Sequence, residues 1–278
     1  MRRTVYVQEK IAKAFLFISV LLTVGVLGSI VFHIFSHGIS GLSWNFLTDS
    51  PRNMGRDGGV FPAIIGTVYV VFIALVVATP IGVFAAVYLA EYSRMGMVAG
   101  VIRYAVNTLA AIPSIIFGLF GFTFLVIYLK LGWSVLSGGL TLAMMVLPTI
   151  MRTTEEAVKT VPIAYREGSM ALGATKWQTI RLVVLPNALP GILTGIILSI
   201  GRSVGETAAV LLTAGSSLQV PQSIFDPVRT LSLHLYLLAF EGISFEKAYT
   251  TATVLMIIVF ITNFSISFIA KKMVMRNI

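Results

Sequence analysis

Residues 58–90 have the sequence GGVFPAIIGTVYVVFIALVVATPIGVFAAVYLA, 33 positions without a charged side chain. A helix that crosses about 30 Å of hydrocarbon needs about 20 predominantly apolar residues. The run exceeds one crossing, but two crossings and a turn between them would need about 40 residues. Pro62 marks its start and Pro80 allows a kink. We therefore predict one long, bent membrane-spanning helix.

Five further runs are long and apolar enough to cross a bilayer. They are Ala14–Phe32, Tyr104–Leu129, Leu131–Met151, Leu182 to about Ala214, and Ala248–Ala270. The first run lacks a small-residue cleavage site after it, so it is predicted to remain as an anchor rather than to be removed as a signal peptide. Hydrophobic residues make up 57% of the chain and charged residues 11%, against about 25% charged in an average soluble domain. The predicted fold class is all-α, a polytopic membrane protein with six transmembrane helices.

The net charge of +9 is explained by the orientation of the chain in a membrane, because the basic residues lie at the edges of the apolar runs and not on one soluble face. No nucleic-acid partner is therefore predicted. Fourteen Lys and Arg residues lie in the two tails and the loops on their side, against five in the opposite loops. Since Lys and Arg accumulate in cytoplasmic loops, both termini are predicted to be cytoplasmic, in an inner or plasma membrane.

This topology divides the chain into consecutive parts. They are a cytoplasmic tail (1–13), a first transmembrane helix (14–35), an external loop (36–60), a core of five transmembrane helices (61–270) that contains the loop 152–186, and a cytoplasmic tail (271–278). Within the core, Ser216–Lys247 is predicted to lie outside as a loop. Its uncharged stretch Leu231–Phe240 is too short to cross and is expected to form an interfacial or re-entrant helix.

The largest cytoplasmic loop, residues 152–186, has the sequence RTTEEAVKTVPIAYREGSMALGATKWQTIRLVVLP. Pro162 fits a helix start and Gly173 a helix end. The intervening residues form an amphipathic pattern with Met170 and Leu172 exposed. We predict a rigid helical projection suited to a groove on another protein.

This loop resembles the cytoplasmic loop E-A-A-x3-G-x9-I-x-L-P of ABC importer permeases. Glu167, Gly173 and Leu185-Pro186 match at the same offsets, whereas Gly168 and Ser169 replace the two alanines and Val183 replaces the Ile. The resemblance implies that the loop is a coupling helix that docks into an ATPase subunit. The residues it implicates are Glu167, Gly168, Ser169, Ala171, Leu172 and Gly173.

The resemblance extends over roughly residues 60 to 270. The stretches GTVYVVFIALVVATPIGVFAAVYLAEYS (66–93), NTLAAIPSIIFGLFGF (107–122), LPTIMRTTEEAVKTVP (147–162) and LGATKWQTIRLVVLPNALPGILTGIILSIGRSVGETAAVL (172–211) are similar to the A-type permease subunits of phosphate ABC importers. That family implies a type I ABC importer permease fold with cytoplasmic coupling helices and inorganic phosphate as substrate. It also implies as partners a dimer of ABC ATPase subunits, a homologous C-type permease subunit and an external phosphate-binding protein.

No G-x-x-x-x-G-K-[ST] run occurs in the chain, so a separate chain must hydrolyse any ATP that drives transport. No Ser/His/Asp or paired-carboxylate set gathers at one membrane depth. We therefore predict a transport subunit and not an enzyme, without a cofactor.

Arg202 and Glu206 are the only charged residues between Arg181 and Asp226. Because a charge at a helix centre costs about 2.5–3.5 kcal/mol, they are predicted to face the bundle interior, on one face of the fifth helix. As a substrate pathway, the Arg fork would hold an oxyanion and Glu206 would keep that binding weak. Alternatively the two form a structural salt bridge. Gly201 and Gly205 are predicted to form a close-packing surface beside them.

The remaining charged and histidine side chains that stand out in the sequence are not predicted to form a catalytic or metal-binding site. Arg152 is predicted to pair structurally with Glu155 and Glu156. His33 and His37 have helical i, i+4 spacing but no third ligand nearby, so no metal site is predicted. His234 stands alone in the predicted external loop.

Three other functions remain open from the residues alone. One Arg and one Glu suit sulfate or molybdate as well as phosphate. An ion-coupled secondary carrier would use Glu206 as a proton site, but its inverted repeats are not evident. A membrane scaffold without transport would leave the charge pair unexplained.

Overall fold

The fold is almost entirely helical, as predicted. The structure, a computed structural model, describes residues 2–93 and 96–276. Met1, Asn277 and Ile278 of the predicted tails lie outside the described residues, as does Arg94, which was counted for the orientation. The first helix, α1, spans Arg2–Gly38 and contains the predicted first transmembrane segment 14–35.

The predicted external loop 36–60 holds a small ordered structure. After a 3-10 turn come helix α2, Trp44–Thr48, and two antiparallel strands, β1 (Pro51–Arg52) and β2 (Asp57–Gly58). Ser43 caps α2 by accepting a hydrogen bond from the Phe46 N–H at 3.2 Å.

The long uncharged run forms one continuous helix, which confirms that it is a single span and not two. Helix α3 spans Phe61–Val87 with Pro80 inside it and continues as a π-helical turn over Tyr88–Tyr92. At 1.5 Å per residue, its 32 residues extend about 48 Å. The strands therefore lie at one end of the bundle, hereafter the hairpin end, and Tyr92 lies at the other, hereafter the Arg166 end.

The predicted span Tyr104–Leu129 is formed by a bent pair of helices. Helix α4, Met97–Ala111, and helix α5, Ser114–Gly121 with a π-helical extension to Tyr128, meet at a bend of 101°. The cause is Pro113: a residue before proline avoids the helical region, and Ile112 is extended with ψ 131°.

The second half of the chain contributes the remaining helices. They are α6 (Val135–Thr160), α7 (Ile163–Ala171), α8 (Lys176–Thr179) with a π-helical turn to Val184, α9 (Leu185–Val204), α10 (Ala208–Thr213), α11 (Leu231–Phe240) and α12 (Phe245–Arg276). Helix α11 matches the short helix predicted after the fifth span. Among the described residues five helices are long and apolar enough to cross a membrane, and six spans result when the bent pair α4–α5 counts as one.

Helices α3, α6 and α9 form the centre of the bundle. A buried apolar cluster joins α3 to α6 through residues such as Val70, Ala74 and Leu142. Glycines set the separation, because a Cβ at Gly139 would lie 2.5 Å from Ile73 Cγ2 and one at Gly82 would lie 2.9 Å from Ile150 Cγ2.

The close-packing glycines of α9 are not the predicted pair. A Cβ at Gly201 would meet nothing within 4 Å, and one at Gly205 would meet only the Gly201 carbonyl oxygen at 3.7 Å. Instead, a Cβ at Gly191 or Gly195 would overlap Ala157 or Thr153 of α6. The four-residue glycine spacing predicted for Gly201 and Gly205 thus acts nearly three helical turns earlier in α9, where α6 lies alongside.

Candidate coupling and translocation sites

Helix α7 is a short helix with well-defined ends. It begins after Pro162, which has extended ψ, and it ends in a Schellman motif: the Gly173 N–H donates to Met170 O at 3.0 Å and the Ala174 N–H to Ser169 O at 3.2 Å. Gly173 has φ +88°, a conformation that glycine adopts without steric penalty. Both predicted helix boundaries are confirmed.

The predicted docking residues lie on an open surface. Helix α7 has no buried residue, and Glu167, Gly168, Ala171 and Gly173 are exposed. Leu172 is 91% exposed, a large apolar surface for one side chain. Ser169 differs, since its hydroxyl lies 3.0 Å from Thr179 Oγ1 and ties α7 to α8.

Helix α8 is stabilised by a capping box. Thr175 Oγ1 accepts from the Gln178 N–H at 3.3 Å, and Gln178 Oε1 accepts from the Thr175 N–H at 2.8 Å. Ile180 follows and is buried. The projection over residues 163–179, hereafter the knob, is therefore ordered throughout and returns directly into the bundle.

An ion pair joins the knob to the end of α3. Arg166 Nε and Nη2 donate to Glu91 Oε1 at 2.9 and 2.7 Å. The same guanidinium donates to the carbonyl oxygens of Val161 at 2.6 Å and Val158 at 2.8 Å. No local sequence pattern reveals this pair, because 75 residues separate its members. The one available signal was that Glu91 follows directly on an uncharged run of helix.

A second polar cluster links α4 to α6. Glu155, which is buried, accepts from Arg103 Nε at 2.9 Å and lies 2.8 Å from Lys159 Nζ. Arg152 donates instead to Asn107 Oδ1. The predicted pairing of Arg152 with Glu155 and Glu156 is therefore not formed. Sequence proximity suggested it, but α4 supplies a competing cation and an amide.

Contrary to the prediction, Arg202 and Glu206 do not lie on one face of a single helix. Helix α9 ends at Val204 with Gly205 as its C-cap, so Glu206 lies in the break before α10. There Glu206 Oε1 accepts from the Ala209 N–H at 3.1 Å, and its carbonyl oxygen accepts from Ser232 Oγ at 2.6 Å. Arg202 is exposed, and no ion pair between it and Glu206 occurs in the described part of the chain. The intrachain salt bridge that the sequence offered as an alternative is thus absent.

The helix break borders a cavity. Its volume is ≈ 490 Å³, and its lining includes Gly205, Thr207, Ser232 and Tyr236. The open space at Gly201 lies beside Arg202 on the last turn of α9. The last turn of α9 thus carries an exposed cation, and the irregular backbone that follows it lines a cavity, as non-helical backbone at membrane depth requires.

His234 is buried at the hairpin end, not isolated in a loop as predicted. It is 1% exposed on α11, and its Nδ1 lies 3.4 Å from Arg229 Nη1. Burial lowers the pKa of His234 to about 4, with the Arg229 charge acting in the same direction. The imidazole is therefore neutral and structural near pH 7.

His33 and His37 contact an aromatic side chain. His33 Nε2 lies 3.2 Å from the Tyr249 hydroxyl, and the two imidazole rings are 4.3 Å apart. Within residues 2–93 and 96–276 no group of three His, Cys, Asp or Glu side chains is arranged for a metal ion.

Comparison with known proteins gives the same architecture. Residues 78–275 match the family model described as binding-protein-dependent transport system inner membrane component. A probable ABC transporter permease protein, YqgI of Bacillus subtilis (strain 168), is 31% identical over 249 residues, covering 85% of each chain.

Two curated relatives carry a substrate in their names. The phosphate transport system permease protein PstA of Xylella fastidiosa (strain Temecula1) is 32% identical over 242 residues, covering 87% of this chain and 84% of its own. The protein of the same name from Haemophilus influenzae is 33% identical over 222 residues, covering 79% and 78%.

Solved structures of ABC transporters share the fold. A bacterial alginate ABC transporter in complex with an alginate pentasaccharide-bound periplasmic protein superposes with a TM-score of 0.66 at 14% identity, covering 96% of both chains. The MetNI methionine ABC transporter in inward-facing conformations gives a TM-score of 0.60 at 24% identity, covering 77% of this chain and 94% of its own.

Proposed function

The chain belongs to the family of binding-protein-dependent transport system inner membrane components, and from this premise we propose that it is the permease subunit of an ATP-driven importer that moves inorganic phosphate into the cytoplasm. The Arg166 end faces the cytoplasm and both termini lie there. A homologous C-type permease subunit completes the pathway, two ATPase subunits bind on the inside, and an external phosphate-binding protein delivers the anion at the hairpin end.

The observation that carries this proposal is the open surface of α7. Helix α7 has no buried residue, and Ile163, Met170 and Leu172 are 69%, 47% and 91% exposed. Several large apolar side chains exposed in one short segment are typical of a surface that a partner covers. The chain has no nucleotide-binding motif, so the partner is the motor. Glu167, Gly168, Ser169, Ala171, Leu172 and Gly173 form the docking surface.

Phosphate as substrate is supported by the relatives named as phosphate permeases, at 32% and 33% identity over most of the chain. Arg202 contributes the anion-binding group, because its guanidinium is exposed and presents paired donors that fit phosphate oxygens. Glu206 holds the start of α10 and limits how tightly an anion binds nearby. Gly201 and Gly205 leave room for the partner permease.

The transport cycle is a rigid-body switch. ATP binding closes the two motor subunits and moves the knobs that sit in them. Because each knob is anchored to the ends of its bundle helices, the bundles reorient and the pathway opens to the other side. This chain supplies the knob and one wall of the pathway.

The test is uptake of radiolabelled phosphate into vesicles that hold the co-expressed subunits. We expect uptake that requires ATP and persists in the presence of a protonophore. Unlabelled phosphate should compete with the labelled phosphate, whereas sulfate or molybdate at the same concentration should not. Arg202→Gln should lower uptake at least tenfold with normal membrane insertion. Uptake that follows a proton gradient without ATP would favour a secondary carrier, and competition by sulfate or molybdate would change the substrate.

A second measurement tests the docking surface. The ATPase subunit should co-purify with the wild-type chain and be lost when Leu172 is replaced by Asp, because the substitution places a charge in an apolar contact. Retention of the ATPase subunit by that variant would place the docking surface elsewhere.

A further inference from the structure

The knob is held at its two ends by buried residues and not along its length. Val161, just before α7, and Ile180, just after α8, are 5% and 1% exposed. Both belong to an apolar cluster that includes Val87 of α3 and Val184. Between these anchors α7 buries no side chain, so apolar packing does not fix its position on the bundle.

Arg166 supplies the missing attachment. Its side chain is 17% exposed and that of Glu91 9%, so this pair is shielded from water far more than a surface salt bridge. The guanidinium reaches three places at once: the carboxylate at the end of α3 and the carbonyl oxygens of Val158 and Val161 at the end of α6. Such charge-assisted, multidentate contacts are strong and directional.

A second contact converges on the same residue of α3. Lys176, the first residue of α8, donates to the Glu91 carbonyl oxygen and lies 4.7 Å from the centre of the Tyr92 ring. Both helices of the knob therefore contact Tyr88–Tyr92, the π-helical turn that ends α3. Helix α3 packs extensively along α6 and also contacts α9, so force applied to this turn acts on the central helix of the bundle.

We infer that the Arg166–Glu91 ion pair is the joint that transmits displacement of the knob to α3, which makes both residues positioning residues of the transport cycle. The inference rests on the proposed function. The docking surface of α7 and the Arg166 attachment use different side chains, so binding of the motor and transmission of its stroke are separable. Breaking the pair leaves the docking residues in place but lets α7 move without α3.

The experiment compares Glu91→Gln with the wild type in the complete complex, reconstituted with ATPase, partner permease and binding protein. Three quantities are measured: the ATPase subunit that co-purifies, the rate of ATP hydrolysis, and the radiolabelled phosphate moved per ATP. We expect co-purification and hydrolysis within about twofold of wild type, and a phosphate-to-ATP ratio lowered at least fivefold. Glu156→Gln is the matched control, because Glu156 lies at the same end of the bundle with a 74% exposed side chain; its ratio should equal that of the wild type.

Further variants separate transmission from mere support of the fold. Exchange of the charges, Glu91→Arg with Arg166→Glu, should recover part of the ratio that either single change loses. Arg166→Lys keeps the charge but not the fork and should give a ratio between wild type and Glu91→Gln. Arg166→Lys also serves as the second test if Glu91→Gln is not inserted.

Two results would overturn the joint: a normal ratio in Glu91→Gln, or loss of co-purification in proportion to the loss of transport. The proposed function fails differently, since the wild-type complex itself would then show no ATP-driven phosphate uptake.

Discussion

Gly173 determines how the chain leaves α7. Its φ of +88° allows two hydrogen bonds to close the helix and turns the chain toward α8. Gly168, in contrast, lies inside α7 with nothing within 4 Å of an added Cβ. The backbone conformation at Gly173 therefore favours glycine, whereas the position of Gly168 can accept a side chain.

Replacing Gly173 with Ala should lower stability, because a left-handed conformation costs a residue with a Cβ about 1–2 kcal/mol. Gly168→Ala should be neutral or stabilising by up to about 1 kcal/mol, since alanine favours helix interiors. Thermal unfolding of the purified complex in detergent measures both, with Gly173→Ala expected a few degrees below Gly168→Ala. Equal Tm values would mean that the turn tolerates a Cβ.

His234 should make stability depend on pH. Its pKa of about 4 in the folded chain lies below the unfolded value of 6.5, so the unfolded state binds the proton first as the pH falls. Stability is therefore full above about pH 6.5 and declines between pH 6.5 and 4, by about 3 kcal/mol.

Unfolding temperatures between pH 7.5 and 4.5 measure the effect. At pH 7.5 the His234→Gln variant should have a lower unfolding temperature than the wild type, because Gln does not fill the buried position of the imidazole. On acidification its unfolding temperature should fall less than that of the wild type. A parallel decline in both proteins would assign the acid sensitivity to other groups.

At the scale of single residues, the sequence identifies those groups whose structural role depends on nearby residues in the chain. Pro162 and Gly173 were placed correctly because helix ends are determined within a few residues. Arg166 and Arg103 were counted for topology but not paired, since their carboxylate partners are 75 and 52 residues away. No local pattern distinguishes such a partner from any other charge at a membrane edge.

At the scale of elements, hydropathy predicts where the helices lie, and proline is the residue that can interrupt them. Pro80 remains inside a continuous α3, whereas Pro113 separates α4 from α5 by 101°. Both prolines lie in apolar runs of similar composition. The residues around Gly82 pack closely on Ile150 of α6, a tertiary contact that the sequence alone does not contain.

The contact between α6 and α9 depends on Gly195. An added Cβ there would overlap Thr153, so Gly195→Ala should cost about 1–3 kcal/mol through overpacking. Gly201→Ala, in the same helix with open space around it, is the matched control and should leave the isolated chain unchanged. The measurement is the unfolding temperature of each purified variant; equal values would contradict the packing described for α9.

At the scale of the whole molecule, the two ends of the bundle differ in chemistry. The hairpin end carries α2 and the two short strands, and the Arg166 end carries the knob and the ion pairs that anchor it. Helix α1 contacts mainly α12, and the side chains of its apolar stretch are exposed, as suits a helix surrounded by lipid or a partner.

The absence of cysteine from the sequence makes the orientation directly measurable. Asp49→Cys places one thiol at the hairpin end and Glu156→Cys one at the Arg166 end, both at exposed positions. In intact cells a membrane-impermeant maleimide should label Asp49→Cys only, and Glu156→Cys should react after permeabilisation. The reverse pattern would place the knob outside and contradict docking to a cytoplasmic ATPase.

The sequence by itself determined that the chain is a helical membrane protein, where its apolar helices lie and that one loop forms a projecting knob. These properties follow from hydropathy, proline and glycine chemistry, which act over a few residues along the chain. Only the tertiary structure decided that α9 stops before Glu206, that Gly191 and Gly195 face α6, and that Arg166 meets Glu91. Those outcomes depend on which helices lie side by side, because a buried charge or a small residue acquires its role from the neighbour that packing brings to it.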